Sequence, residues 1–436
     1  MQYLNILYFL ILTGLGYRYL LGDGKVLKGA LNPNLNFKYS GVEIFWCLTF
    51  ATGVVALSAD VGLDLMAIRL LVLEVFCIIG ISIAKGKVVL NFPMKIYIIY
   101  LLWLVIGLFY SPSLTYGIRT ILKYIYPFLL CLFASSAVTD SEVFFKSSKW
   151  ARIVALISVI FSFLPYIGIV IPMPGFFWYV TARAINYISI MIFSLGMFFF
   201  SNRKKENLIW TFVFLAPCIL WVFRTSILGS TIAIMAFFGI KYRIKALPIM
   251  FGIFVLAVVA VFTIPSIREK MFYDDNVTIE DFQQGKISED NVNTNYRAYM
   301  WEKLENKFYK GHEIFGSGTG AVQDEMYNHR FEYGGLIVPH SDFVQQKCDN
   351  GLIGLILYGA IIFFIFVDCF RTYKKKVFAA PIRLCALVAG ASVLGVYATF
   401  YSDNTVNYSM ATLAMPFGFY GMMLGMRNAA KNGKKV

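Results

Sequence analysis

Apolar runs of about twenty residues, long enough to cross a bilayer as helices, recur along this chain and are parted by short polar links. They leave little choice of fold. In hydrocarbon every backbone N–H and C=O has to be satisfied internally, and these runs are continuous instead of alternating with period two, so they are helices and not barrel strands. Composition agrees: of 436 residues 58% are hydrophobic, 17% aromatic and only 15% charged, with a mean hydropathy of +0.67. The expected fold is an all-α polytopic membrane protein of about 12–14 transmembrane helices. The first run, Gln2 to Leu21, has no small-residue cleavage site and is followed by further spans, so it reads as a retained helix.

The formal net charge of +14 would suggest nucleic acid in a soluble protein, but here the bases sit in links between apolar runs. Every second link is basic, as at Lys85 and Lys87, at Arg203 to Lys205, at Lys241 to Lys245 and at Arg371 to Lys376. The links between them carry almost no base. That asymmetry puts the basic links and the tail in the cytoplasm and the one long polar segment outside. The chain then divides into N-terminal transmembrane helices over 1–264, an outer lobe over 265–345, and C-terminal transmembrane helices with a cytoplasmic tail over 346–436. A polar lobe of this length is far longer than ordinary connections, and long ordered loops are usually functional.

The lobe holds all three histidines of the protein. His340 is the candidate general base, because imidazole takes and returns a proton near neutrality. Pro339 stiffens its approach, and Ser341 and Asp342 can orient the ring or cap a following helix. His312 precedes a glycine turn and His329 lies in a charged stretch, so neither has this setting. Tyr299, Met300, Leu304 and Phe308 recur with helical spacing, which puts Arg297 in the first turn of an amphipathic helix. Gly316, Gly318 and Gly320 allow close backbone approach to a substrate, but a lone GxGxG equally marks a plain turn. The acidic residues from Asp274 to Asp290 read as a solvated, flexible stretch.

Four further cations stand at the lobe side, where the charge rule disfavours them. Arg119 and Lys123 share a helix face four residues apart, Arg183 starts a later span and Arg224 sits at a hinge between two spans. Snorkelling to headgroups is one reading of each. As a set they point to a bound anion, and a membrane-embedded phosphate is the natural one. Six of the seven cysteines lie in apolar spans, Cys348 stands alone at the lobe edge, and there is no CxxC, so no disulfide framework, metal site or cofactor is expected.

Four motifs, taken in order, resemble the O-antigen polymerase and O-antigen ligase superfamily. They are Phe223-Arg224-Thr225-Ser226, Tyr296 to Trp301, Ile314 to Gly320, and Pro339 to Phe343 running into Asp349 to Gly354. The likeness covers about Ile219 to Gly359; the first half is similar only in hydropathy and length. Ser341 stands where the family usually has Asn, Asp349 where it has Glu, and Glu313 where a proline is common. The resemblance implies a GT-C-like membrane glycosyltransferase of the bacterial inner membrane, working at the periplasmic face on a glycan carried by undecaprenyl pyrophosphate. It implies His340 as the catalytic residue with Arg224 and Arg297 at the pyrophosphate, while Arg119, Lys123, Arg183, Gly316, Gly318 and Asp342 are the expected substrate contacts. The expected reaction is polymerisation of lipid-linked repeat units into O-antigen or a capsular or exopolysaccharide, without a metal. Its alternatives are ligation of the glycan to lipid A core and, from another class, flipping of the same units. Donor and acceptor glycan lipids, membrane lipids, a chain-length regulator and a flippase are the expected partners, and nucleic acid is not. The topology predicts that a cysteine placed between Asp281 and Ser288 reacts with an impermeant thiol reagent in intact spheroplasts and one at Lys375 does not; the reverse pattern would overturn the orientation.

Overall fold

The structure is a computed structural model and describes residues 41–43, 65–84, 86–163, 184–220, 223–272, 284, 297–408 and 412–433. The span expected at 2–21, most of that at 41–59, most of the acidic stretch 274–290, and Arg183 lie outside the described residues. Among the described residues the regular elements are all helical. Before the lobe come α1 (Leu65–Ile83), α2 (Phe92–Leu108), α3 (Leu114–Ala137), α4 (Ser141–Phe163), α5 (Ile188–Phe200), α6 (Lys204–Leu220), α7 (Arg224–Tyr242) and α8 (Leu247–Thr263). The lobe contributes α9 (Pro265–Met271), α10 (Arg297–Leu304) and α11 (Ala321–Asn328), and α12 (Asp342–Lys374), α13 (Ala380–Ala398) and α14 (Ala414–Lys431) complete the chain. Proline opens α2, α8, α9 and α13 at the first turn, where its missing N–H is no loss.

Leu114–Ala137, Arg224–Ala260, Asp342–Lys374 and Ala380–Tyr401 are long and apolar enough to cross a membrane, and shorter apolar helices accompany them. The protein is an all-α multi-pass membrane protein. Its pillar is α13, which packs against α5, α7, α12 and α14 and buries Cys385 to Ala389 completely. Small residues make this possible, since without lipid-to-helix hydrophobic contrast, association depends on close van der Waals packing. A Cβ at Gly395 of α13 would stand 2.5 Å from Ala233 Cβ and 2.6 Å from the Gly229 carbonyl of α7. On the other side of the bundle, a Cβ at Gly421 of α14 would fall 2.2 Å from the Cys131 carbonyl of α3. The antiparallel α7–α13 contact brings the first residues of α7, including Arg224, to the end of α13.

The helix α12 breaks at Gly351 (φ 63°, ψ −168°). A continuous helix would bond the N–H groups of Leu352 and Ile353 to the carbonyls of Cys348 and Asp349. Instead those N–H groups donate to Glu313 O (2.9 Å) and Ile314 O (3.4 Å), while Ser317 N and Gly318 N donate to Cys348 O (2.9 Å) and Asp349 O (3.0 Å). The glycine turn therefore takes over the four backbone groups that the kink releases. The same turn finishes α2, with Thr319 N donating to Gly107 O (3.2 Å) and Thr319 Oγ1 to Leu104 O (2.9 Å). The Asp349 carboxylate then caps the start of α11 by accepting from Gly320 N (3.1 Å) and Val322 N (2.9 Å).

Above this joint Met300, Leu304, Val322, Met326, Tyr333, Val344 and Cys348 form a small core, so the first turns of α12 belong to the lobe and its remainder to the membrane bundle. Lys307, Tyr333 and His329 surround Glu325 on the lobe surface of that core. Gly316 has φ +78°, and a Cβ there would lie 2.4 Å from Asp349 O and 2.5 Å from Gly351 N. Gly316→Ala should lower unfolding stability by about 2 kcal/mol or more, read as an earlier thermal transition of the purified protein; an unchanged transition would contradict the interlock.

Candidate active site

Arg297, His340 and the start of α7 meet on one short connection. It joins α13 to α14 through two 3-10 turns, Thr399–Tyr401 and Thr405–Tyr408. Arg297 is the first residue of α10, with Met300 and Leu304 turned into the lobe core, and its Nη1 donates to Ser402 O at 2.8 Å. Arg224 is the first residue of α7, and the next residue, Thr225, places Oγ1 3.1 Å from Ser402 Oγ. Both arginines stand at helix N-termini, where the dipole favours anions and disfavours cations. A negatively charged group at this spot relieves both conflicts at once. Burial pulls the Arg297 guanidinium below its ordinary value, against the opposing charge of Asp403.

His340 arrives from the lobe side. Its φ is +51°, a left-handed conformation that costs a non-glycine residue about 1–2 kcal/mol. Trp301 Nε1 donates to Pro339 O at 2.6 Å, His340 N donates to Asn404 Oδ1 at 2.5 Å, and Ser341 Oγ caps α12 by accepting from Val344 N at 3.3 Å. The imidazole Nδ1 then lies 3.8 Å from Asp403 Oδ1, with the two side chains 26% and 25% exposed. That separation is too long for a hydrogen bond but within ion-pair reach, and the exposure leaves the ring accessible to a substrate. With Nδ1 turned to a carboxylate, Nε2 is the nitrogen free to take a proton.

The other expected contacts are arranged differently. Asp342 is 2% exposed; its Oδ2 accepts from Val406 N at 2.9 Å and its Oδ1 from Asn404 Nδ2 at 3.4 Å. It supports the connection from beneath. Lys123 is likewise closed off at 3% exposure, with Nζ on Asn407 Oδ1 and on Gln323 Oε1, so it ties α3 to the connection and the lobe. Arg119 is half-buried and lies over the Tyr116 ring at 5.3 Å, and Arg183 is outside the described residues. Gly316 and Gly318 have their backbone donors engaged within the protein. Gly316 N donates to His312 O (2.7 Å), and Ser317 N, Gly318 N, Thr319 N and Gly320 N are all taken by α2 and α12, leaving this turn no backbone donor for a phosphate.

Ser402, Asp403 and Asn404 were absent from the sequence expectations, though a legible signal was there. Ser402-Asp403-Asn404-Thr405 is a compact polar run between two apolar spans on the same side as the lobe. An imidazole with a carboxylate behind it, beside two guanidinium groups at helix starts, can accept a proton and offset the charge of a phosphate-bearing leaving group. Residues 218–359 match the family model described as O-antigen ligase, whereas no curated protein matches the chain at a significant level. Arg224, Arg297 and His340 all fall within the matched residues, and the match of that segment supports a likeness to the O-antigen ligase and polymerase superfamily.

Proposed function

We propose that this protein is a polysaccharide polymerase of the bacterial inner membrane, joining undecaprenyl-pyrophosphate-linked oligosaccharide repeat units at the periplasmic face. The observation that supports the reading is that Arg297, His340 and the start of α7, where Arg224 is followed by Thr225, come together on the Ser402 to Asn404 connection. His340 Nε2 removes the proton of an acceptor sugar hydroxyl as its oxygen attacks the anomeric carbon of the donor. The bond from that carbon to the pyrophosphate oxygen breaks, its electron pair leaves with the lipid pyrophosphate, and the anomeric centre inverts. Asp403 stabilises the imidazolium that forms, and Arg224 and Arg297 meet the charge growing on the leaving group. In this scheme guanidinium groups do the work that a metal ion does in other glycosyl transfers.

The polymerase reading needs one class of lipid-linked molecule at both donor and acceptor positions. The matched family description favours a second reading, in which the same site passes the glycan to lipid A core. Purified protein incubated with lipid-linked repeat units alone separates them: a polymerase makes longer glycans, whereas a ligase makes product only when the core acceptor is added. No product under either condition would overturn both.

Replacing the proposed base, His340→Ala should lower the rate of chain extension by about 10²–10⁴-fold, with binding of the lipid-linked donor retained; native polymer amount and length would put the base elsewhere. Arg224→Lys and Arg297→Lys keep the charge but lose the planar fork, and each should slow transfer roughly tenfold or more. Unchanged turnover in both lysine variants would remove the pyrophosphate clamp.

A further inference from the structure

His340 has to be held in its left-handed conformation, and its own N–H is held by Asn404 Oδ1. Asn404 is fully buried, and its amide cannot turn over freely. Nδ2 donates to Gln345 Oε1 at 3.2 Å and to Asp342 Oδ1 at 3.4 Å, two acceptors that repel an amide oxygen, so Oδ1 faces His340. Asp342 is fixed in turn by Val406 N at 2.9 Å and by its own N–H on Asp403 O at 3.2 Å. The Asn404 backbone N–H donates at 2.8 Å to Asp403 Oδ1, the same oxygen that lies nearest His340 Nδ1. One residue therefore touches both the histidine backbone and the carboxylate behind its ring. Trp301 grips the other side of the Pro339–His340 peptide unit, donating Nε1–H to the Pro339 carbonyl.

We propose that Asn404 is a positioning residue for His340, clamping it together with Trp301 so that the ring is held against Asp403 with Nε2 presented to the acceptor. The role rests on the reading of His340 as the base. A buried asparagine that only stabilised the connection would affect folding and donor binding, but its effect would not depend on what residue 340 is. That difference makes the proposal testable by a double-mutant cycle.

The experiment uses the full-length purified protein with lipid-linked repeat units, measuring kcat, KM for the donor and thermal stability in native protein, Asn404→Ala, His340→Ala and the double variant. Misplacing a catalytic group by about 1 Å can cost roughly 10²-fold. The expected result is a kcat loss of that order in Asn404→Ala, with donor KM within about twofold of native, and no further loss when His340 is already alanine. Trp301→Phe keeps the aromatic ring and removes only the N–H; it carries the same test should Asn404→Ala fail to fold, and is expected to lose kcat only where His340 is present. Native kcat in Asn404→Ala beside a slow His340→Ala overturns the positioning role and leaves the base reading intact. Losses that multiply in the double variant also overturn it, whereas native turnover in His340→Ala sinks the base reading and the proposal together.

Discussion

The joint between the lobe and the membrane depends on an exchange of backbone hydrogen bonds at Gly351. A helix broken inside or beside a bilayer strands N–H and C=O groups whose desolvation is expensive. Here Glu313, Ile314, Ser317 and Gly318 accept or supply the four bonds that the break interrupts. The geometry only closes because Gly316 and Gly351 face each other without side chains, a Cβ on Gly351 falling 2.3 Å from Ile314 O. The lobe is thereby locked at a fixed height and angle on α12, and Asp349 and Thr319 extend the lock to α11 and α2. His340 stands just ahead of α12, so this joint also fixes where the proposed base can be.

Around that frame, the site is assembled from the ends of elements and not from their faces. Close packing at Gly229 and Gly395 sets the start of α7 beside the end of α13, and the lobe core sets the start of α10 there too. Arg224 and Arg297 each stand at a helix N-terminus, where the dipole disfavours a cation. Proteins retain such conflicts where a ligand resolves them, and a pyrophosphate does so in the proposed reaction. The left-handed His340 fits the same description, since strain of this kind persists only when the surroundings over-determine it.

Much of this was legible in the sequence, for reasons that differ by residue. Continuous apolar runs dictated helices, and those in the described residues lie close to their expected places, as in α2 and α13. The helical spacing of Met300 and Leu304 correctly put Arg297 at a helix start. The glycine turn could be located but not interpreted, because its partner, the kink at Gly351, is distant in space only until the chain folds. Lys123 was expected at a bound anion from its place with Arg119 on an outer helix face, and Asp342 at the substrate from its place beside His340; their burial is a tertiary property, and both bond to the connection between α13 and α14. That connection itself escaped notice because Asp403 and Asn404 acquire meaning only once Arg297 and His340 are brought to them.

In the proposed reaction a lipid pyrophosphate is held between the first turns of α7 and α10, with His340 beyond it. The most direct test is an experimental structure of the protein with undecaprenyl pyrophosphate bound. The account predicts phosphate oxygens within hydrogen-bonding distance of the Arg224 and Arg297 side chains, on the His340 side of Ser402. Pyrophosphate held elsewhere, at the Gly316 to Gly320 turn or beside Arg119 with both of these arginines unengaged, would contradict it.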